Sequence, residues 1–292
     1  MVYDMPHHPA FDDRANLDAQ YNNRALVPNH VQLYKNWAPL SAKVFDDYKF
    51  HKDVVYGPSP RELIDIILPE GKGPHPVMIY IHGGYWMSRE KSDQTFIAPA
   101  FADAGIAFAL IEYDLMPKVT MSDIVTQCQS AAIFIHRHAD IYNLDSSKIF
   151  ISGHSAGGHL TAILASTDWS RFDCPQDMLK GGCALSGIYD LSPVRHTYIQ
   201  EVIGLTDRDV AEYSPLNFKN KASIPLVVAA GGSESEAFRH QSRGLVNAWN
   251  KDSSTCTYIE PTGLNHFTIL SEYSNADSDL TQDTITMIKN MS

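Results

Sequence analysis

Cysteine is scarce in this chain. Cys128, Cys174, Cys183 and Cys256 are the only four in 292 residues, and no two form a C-x-x-C pair. That excludes the usual zinc and dithiol spacings, and a disulfide framework does not suit a chain of this length. No run of basic residues occurs: Asp and Glu outnumber Lys and Arg by 34 to 23, for a net charge of −11. Nucleic acid and anionic membrane are therefore not expected partners. No apolar stretch approaches the length of a membrane span, and the first residues lack the charged-then-apolar pattern of a secretory signal, so the cytoplasm is the default expectation. Phosphate-binding glycine loops, H-E-x-x-H and internal repeats are also missing. No metal or other cofactor is expected. With 44% apolar and 20% charged residues, the chain has the composition of an ordinary globular protein with ample length for a core.

Continuous apolar runs alternate with helical stretches from about residue 52 onward. Arg61–Leu68, Val77–His82, Ile106–Tyr113, Lys148–Ser152, Gly182–Ser186, Pro225–Ala230 and Thr255–Ile259 read as strands. Helices are expected over 121–139, 158–165, 236–250 and 280–290. Such alternation predicts an α/β fold: a doubly wound, mostly parallel sheet with helices on both faces. Functional residues should then gather at the carboxyl ends of the strands. Residues 1–50 are polar with scattered aromatics (Tyr3, Phe11, Tyr21, Tyr34, Trp37, Phe45, Tyr48) and are expected to form an arm on a main domain of 51–292, with a short helix at Val31–Trp37. Residues 192–221 interrupt the alternation and are expected to form a small, partly helical cap.

One pentapeptide concentrates the chemistry. Gly153-His154-Ser155-Ala156-Gly157 falls between an apolar strand and a helix, the setting of a nucleophile elbow. The turn is tight enough to demand glycine on both sides, and it presents Ser155 at a helix N-terminus, where N–H groups favour negative charge. A serine nucleophile needs a histidine base, a carboxylate to orient it and donors for the oxyanion. The order serine, acid, histidine directs attention downstream. The acid should follow the strand 225–230, where Glu234 lies first past the Gly231-Gly232 turn. Glu236 competes but suits the first turn of the next helix, and Asp190 is a candidate one strand earlier. The base should follow the strand 255–259, where His266 stands in Gly263-Leu264-Asn265-His266-Phe267.

The oxyanion donors are expected from Ala156 and from the loop His82-Gly83-Gly84-Tyr85-Trp86, with Gly83, Gly84 and Tyr85 supplying N–H groups and His82 bracing the loop. Tyr85 and Trp86 are candidates for the pocket wall, with core packing an equal reading for Trp86. His154 and His159 flank Ser155 and face away from its Oγ, which suits packing; His154 is kept as a substrate-contact candidate. Asp123, Glu90 and the acidic residues of 207–212 read as solvated faces.

These motifs resemble those of the α/β-hydrolase superfamily, and within it the kynurenine formamidase (arylformamidase) group and its carboxylesterase-like relatives. The resemblance rests on H-G-G-Y-W at 82–86, Ser186-Gly187-Ile188-Tyr189-Asp190-Leu191, Ser214-Pro215-Leu216, the stretch Glu236–Ser242 and Tyr21-Asn22-Asn23-Arg24, and it spans about residues 18–275. It implies a metal-free serine hydrolase that removes a small acyl group, such as formyl, from an aryl amide or ester, with Ser155, Glu234 and His266 as its triad. The group's acid is usually aspartate; this chain carries glutamate there, as other α/β hydrolases do. A general carboxylesterase or lactonase is the alternative, and a non-catalytic binding homologue a further one. The expected partner is a small amide or ester substrate; a homodimer stays open.

Overall fold

A computed structural model describes residues 13–218, 224–250 and 256–291. Eight strands form one sheet: β1 (Lys49–Val55), β2 (Leu63–Leu68), β3 (His75–Ile81), β4 (Ala107–Ile111), β5 (Leu144–His154), β6 (Leu179–Leu185), β7 (Leu226–Ala229) and β8 (Cys256–Ile259). Their order across the sheet is β1-β2-β4-β3-β5-β6-β7-β8. β1 pairs antiparallel with β2, and β2 antiparallel with β4; the pairings from β4 through β8 are all parallel. This is the α/β-hydrolase arrangement. The chain steps from β3 outward to β4, then returns past β3 to β5, so β3 and β5 meet at the point where the winding reverses. In doubly wound sheets the crevice opens there, at the carboxyl ends.

The unbroken apolar character of the inner strands follows from burial on both faces. β3 sends Val77, Ile79 and Ile81 into one core layer and Met78 and Tyr80 into the other; β5 does the same with Ile149 and Ile151 against Phe150. The helices Met121–Arg137 and Ala156–Ala165 cover the first face, while Ala98–Ala102, Thr268–Tyr273 and Asp279–Asn290 cover the second. Thr120 and Asp123 form a reciprocal capping box that starts the helix Met121–Arg137, so Asp123 is a cap as well as an exposed side chain. The four cysteines are free and buried.

Two differences from the sequence reading have physical causes. β1 has no counterpart in it. Its residues are mostly exposed, it sits at the sheet edge, and Asp53 breaks the register at positive φ, so no alternation announces it. β5 runs to 11 residues and reaches His154, because pairing with β3 and β6 continues to the elbow itself.

The N-terminal segment forms the helices Arg14–Tyr21, Asn23–Leu26 and His30–Asp47. Leu17 and Tyr21 enter one core layer, and Val27, Trp37 and Val44 the other. In the 192–221 stretch, the described part holds the helices Gln200–Ile203 and Asp207–Tyr213 between single turns, anchored by buried Val194, Ile199, Leu205 and Leu216. Tyr3, Phe11, residues 219–221 and Thr255 lie outside the described residues. Among the described residues no helix is long and apolar enough to cross a membrane.

Candidate active site

Ser155 joins β5 to the helix Ala156–Ala165 with φ 58° and ψ −116°. A non-glycine residue there is strained by about 1–3 kcal/mol. The surroundings hold it: its N–H donates to Leu185 O of β6 at 2.8 Å. Gly157 is required for closeness, since a Cβ there would lie 1.9 Å from Ile81 O of β3.

The three residues expected to act together converge. His266 Nε2 lies 3.0 Å from Ser155 Oγ, and His266 Nδ1 lies 2.7 Å from Glu234 Oε2. All three are buried. Glu234 Oε1 accepts from the Gly231 N–H at 2.7 Å and from the Ser186 hydroxyl at 2.5 Å. The carboxylate is thus held from one side and offered to the imidazole on the other. Ser233 N–H donates to Leu264 O and Gly232 N–H to Pro261 O, which ties the acid's turn to the histidine's loop. The competing acids go elsewhere: Glu236 pairs with Arg239 and Arg243, and Asp190 Oδ1 accepts from the Ser192 N–H.

His154 does line the cavity beside Ser155, but its ring has a further duty. Its Nε2 donates to the His266 carbonyl at 2.8 Å, and the two rings lie 4.6 Å apart. Burial first, and then the neighbouring His266, push His154 well below the ordinary imidazole value, so it stays a neutral donor. His159 is buried on the other side of the elbow, donates to Tyr213 O, and is lowered by burial to about 4.

The loop after β3 lies against the elbow. A Cβ at Gly83 would come within 3.0 Å of Ser155 Cβ. Gly84 has φ 115°, which only glycine adopts freely, and it is followed by Tyr85 and Trp86, both at positive φ. Among the described residues the N–H groups of Gly84, Tyr85 and Ala156 donate to no protein acceptor. His82 bridges the Gly83 carbonyl at 2.7 Å and Glu112 Oε1 at 2.9 Å, and the Tyr113 hydroxyl donates to the His82 carbonyl. Burial would raise the Glu112 carboxyl, but the His82 contact, the Lys91 N–H and the nearby Arg61 outweigh it and hold it below the ordinary carboxylate range. Glu112 and Arg61 were invisible in the motif reading; an acid at the end of β4, beside the loop's strand, was the available signal.

A cavity of about 80 Å3 opens at Ser155. Tyr85 lines it and donates its hydroxyl to Tyr21 O. Trp86 does not: it is fully buried and packs edge-on against His159, the core alternative of the sequence reading. The outer wall comes from segments with no catalytic motif, namely Asn23, Arg24 and Tyr34 of the N-terminal helices, Arg89 and Gln94 beyond the 82–86 loop, and Tyr198 of the 192–218 stretch. Among the described residues no group of three or more His, Cys, Asp or Glu side chains is placed to hold a metal ion.

Strand order, elbow and site geometry together define an α/β hydrolase. The family model described as BD-FAE matches residues 64–249, and the chain belongs to that family of hydrolases. It is 31% identical to a kynurenine formamidase of Danio rerio over 270 residues, covering 90% of this chain and 89% of that one. A solved protein of Silicibacter sp. TM1040, provisionally described as a thioesterase, superposes with a TM-score of 0.81 at 27% identity, covering 94% of this chain and 98% of the other. An esterase of Pyrobaculum calidifontis shares the fold at TM-score 0.72 and 17% identity, over 98% of this chain and 99% of that one.

Proposed function

We propose that this chain is a serine hydrolase that cleaves a small acyl group from an aryl amide or ester through an acyl-enzyme, in the manner of an arylformamidase. The observation that carries the reading is the relay Glu234–His266–Ser155, with contacts of 2.7 and 3.0 Å at a strained elbow. His266 Nε2 takes the Ser155 proton as Oγ bonds to the substrate carbonyl carbon. Glu234 keeps the Nδ1 proton on the ring and stabilises the imidazolium. Negative charge on the carbonyl oxygen is met by N–H groups of Gly84, Tyr85 and Ala156, with Gly83 as the alternative donor. The C–N or C–O bond then breaks, and the leaving amine or alkoxide takes the proton from His266. Water, deprotonated by the same ring, attacks the acyl-enzyme and releases the acid, returning the proton to Ser155.

The cavity at Ser155, about 80 Å3 in all, favours a small substrate; pockets that enclose whole drug-sized ligands are several times larger, roughly 300–1,000 Å3. The kynurenine formamidase relatives support the amide reading, and the esterase fold neighbours support a second reading as a short-chain carboxylesterase. The two are separated by comparing kcat/KM on formanilide and on phenyl formate after correction for intrinsic reactivity. A fluorophosphonate probe should label Ser155 and no other residue; absence of labelling in folded protein would end both readings.

A further inference from the structure

His154 stands beside the nucleophile and the base, and one of its two ring nitrogens has no task in the fold. Nε2 faces the His266 carbonyl at 2.8 Å. A carbonyl oxygen only accepts, so Nε2 carries the ring proton and Nδ1 keeps an in-plane lone pair. Burial and then the neighbouring His266 oppose a second proton. Among the described residues nothing donates to Nδ1, yet this atom is not one of the orphans sealed in the core, and its ring lines the cavity. It is close to the chemistry. Ser155 Cβ and His154 Nδ1 both lie within 3.3 Å of the point where a Cβ on Gly83 would stand, and the His154 and His266 rings are 4.6 Å apart. Glycine at 83 leaves that space open.

The acceptors of the relay are already occupied. His266 Nδ1 and Glu234 Oε2 face each other at 2.7 Å, and Glu234 Oε1 accepts from Gly231 and Ser186. An attacking water brings two protons. One passes to His266 Nε2; the other needs an acceptor that turns the oxygen lone pair toward the acyl carbon. We infer that His154 Nδ1 is that acceptor, a catalytic group that holds the hydrolytic water beside Ser155 during deacylation. The inference rests on the serine-hydrolase reading and adds a residue that serves the second half of the cycle alone. In that step the water oxygen bonds to the acyl carbon, one proton moves to His266 Nε2, and the carbonyl electrons go to the oxyanion. The proton facing His154 stays on the oxygen. The bond from carbon to Ser155 Oγ then breaks, Oγ takes the proton from His266, and the acid leaves. His154 begins and ends neutral. Acylation consumes no water and makes no use of this nitrogen.

Two substitutions separate this role from the bond to the His266 carbonyl. Glutamine reaches as far as Nε2 and can still donate to that carbonyl, but it offers no acceptor at the Nδ1 position. Asparagine places its amide oxygen near Nδ1 and falls short of the carbonyl. With p-nitrophenyl acetate, His154→Gln should keep acylation within about threefold of wild type and slow deacylation about tenfold, the equivalent of one hydrogen bond lost from the transition state. Acetyl-enzyme at Ser155, measured by mass spectrometry after rapid quench, should therefore reach a higher fraction than in wild type. Methanol supplies an internal control, because it gives its one hydroxyl proton to His266 and has none for Nδ1. The ratio of hydrolysis to methanolysis should fall about tenfold in His154→Gln and stay near wild type in His154→Asn. His154→Leu should show the same fall and serves if the glutamine variant does not fold. A role confined to steadying His266 predicts the reverse, with both steps slowed together in His154→Asn and neither in His154→Gln. That pattern, or an unchanged ratio in His154→Gln or His154→Leu, overturns the inference. Failure of a fluorophosphonate to label Ser155 in the folded wild-type protein would instead end the serine-hydrolase reading, and this inference with it.

Discussion

Replacing Glu234 by glutamine removes a charge without changing shape, and the surroundings dictate what happens next. Oε1 accepts two hydrogen bonds, from the Ser186 hydroxyl and the Gly231 N–H. An amide placed there must put its oxygen toward those donors, because the Gly231 N–H cannot accept. The NH2 group then faces His266 Nδ1, which lies 2.7 Å from the native Oε2. An NH2 group can only donate, so Nδ1 must become the acceptor and the ring proton moves to Nε2. That nitrogen, 3.0 Å from Ser155 Oγ, can no longer take the serine proton. The same inversion in the Ser-His-Asp template lowers kcat about 10⁴-fold, equivalent to about 5.5 kcal/mol of transition-state stabilisation. We expect a loss of that order for Glu234→Gln in p-nitrophenyl acetate hydrolysis, with circular dichroism and the unfolding midpoint near wild type. Glu236→Gln should change the rate by less than about threefold, since Glu236 serves an arginine pair on its own helix. A fall of less than tenfold for Glu234→Gln, or a greater cost for Glu236→Gln, would refute the assignment of the acid.

Ser155→Ala should eliminate turnover and fluorophosphonate labelling while the protein melts within a few degrees of wild type; residual burst kinetics would move the nucleophile. Gly157→Ala should cost upwards of about 2 kcal/mol in urea unfolding, because the new Cβ would stand 1.9 Å from a backbone oxygen of β3; an unchanged midpoint would show that the elbow can open. Acid should destabilise the fold through His154 and His159. Both are lowered by burial in the folded state, His159 to about 4, so the unfolded chain binds protons first as pH falls below about 6.5. Stability from these rings is complete above that value and declines below it, for His159 by about 3 kcal/mol in all. Urea midpoints at pH 7.5, 6 and 5 would reveal it, and His159→Gln should reduce the slope; a flat profile would contradict the burial argument.

The parts of the site that could be read in the sequence are those where backbone geometry restricts residue choice. An elbow that brings Gly157 against β3 tolerates one residue type, and the loop at Gly84 tolerates one as well, so G-x-S-x-G and the glycine pair stand out in the bare string. Glu234 and His266 were legible through order alone, because each follows an apolar strand whose end must reach the same crevice. Ser186 was quoted within a motif but gave no sign of its duty, since a hydroxyl that steadies a carboxylate looks like any other serine after a strand. Asn23 and Arg24 stand within a resemblance motif and Tyr34, Gln94 and Tyr198 outside one, yet none of the five shows in the sequence that it reaches the cavity. They reach the cavity from three segments far apart in sequence, and only their packing makes them neighbours. Trp86 illustrates the converse: its place in the 82–86 loop suits a pocket wall and a core position equally, and the structure, with positive φ at Tyr85 and Trp86, has the indole in the core against His159.

That division has an energetic logic. The groups proposed to react sit past strand ends and are fully paired: Glu234 has three partners, His266 two, and His154 secures the histidine's own backbone. Such a network is already organised before substrate arrives, which is what electrostatic stabilisation of a transition state requires. The outer wall is the reverse, with Asn23 Nδ2 and Gln94 Oε1 buried and unmatched. An unmatched buried group costs stability, and a ligand that paired with it would be discriminated from one that did not. A hydrolase built this way can keep its chemistry constant while the arm and the 192–218 stretch change which molecules are admitted. The Tyr85 hydroxyl, bonded to Tyr21 O, joins the two layers, so displacing the N-terminal segment would loosen the proposed oxyanion loop as well as the wall, and selectivity and turnover should fall together.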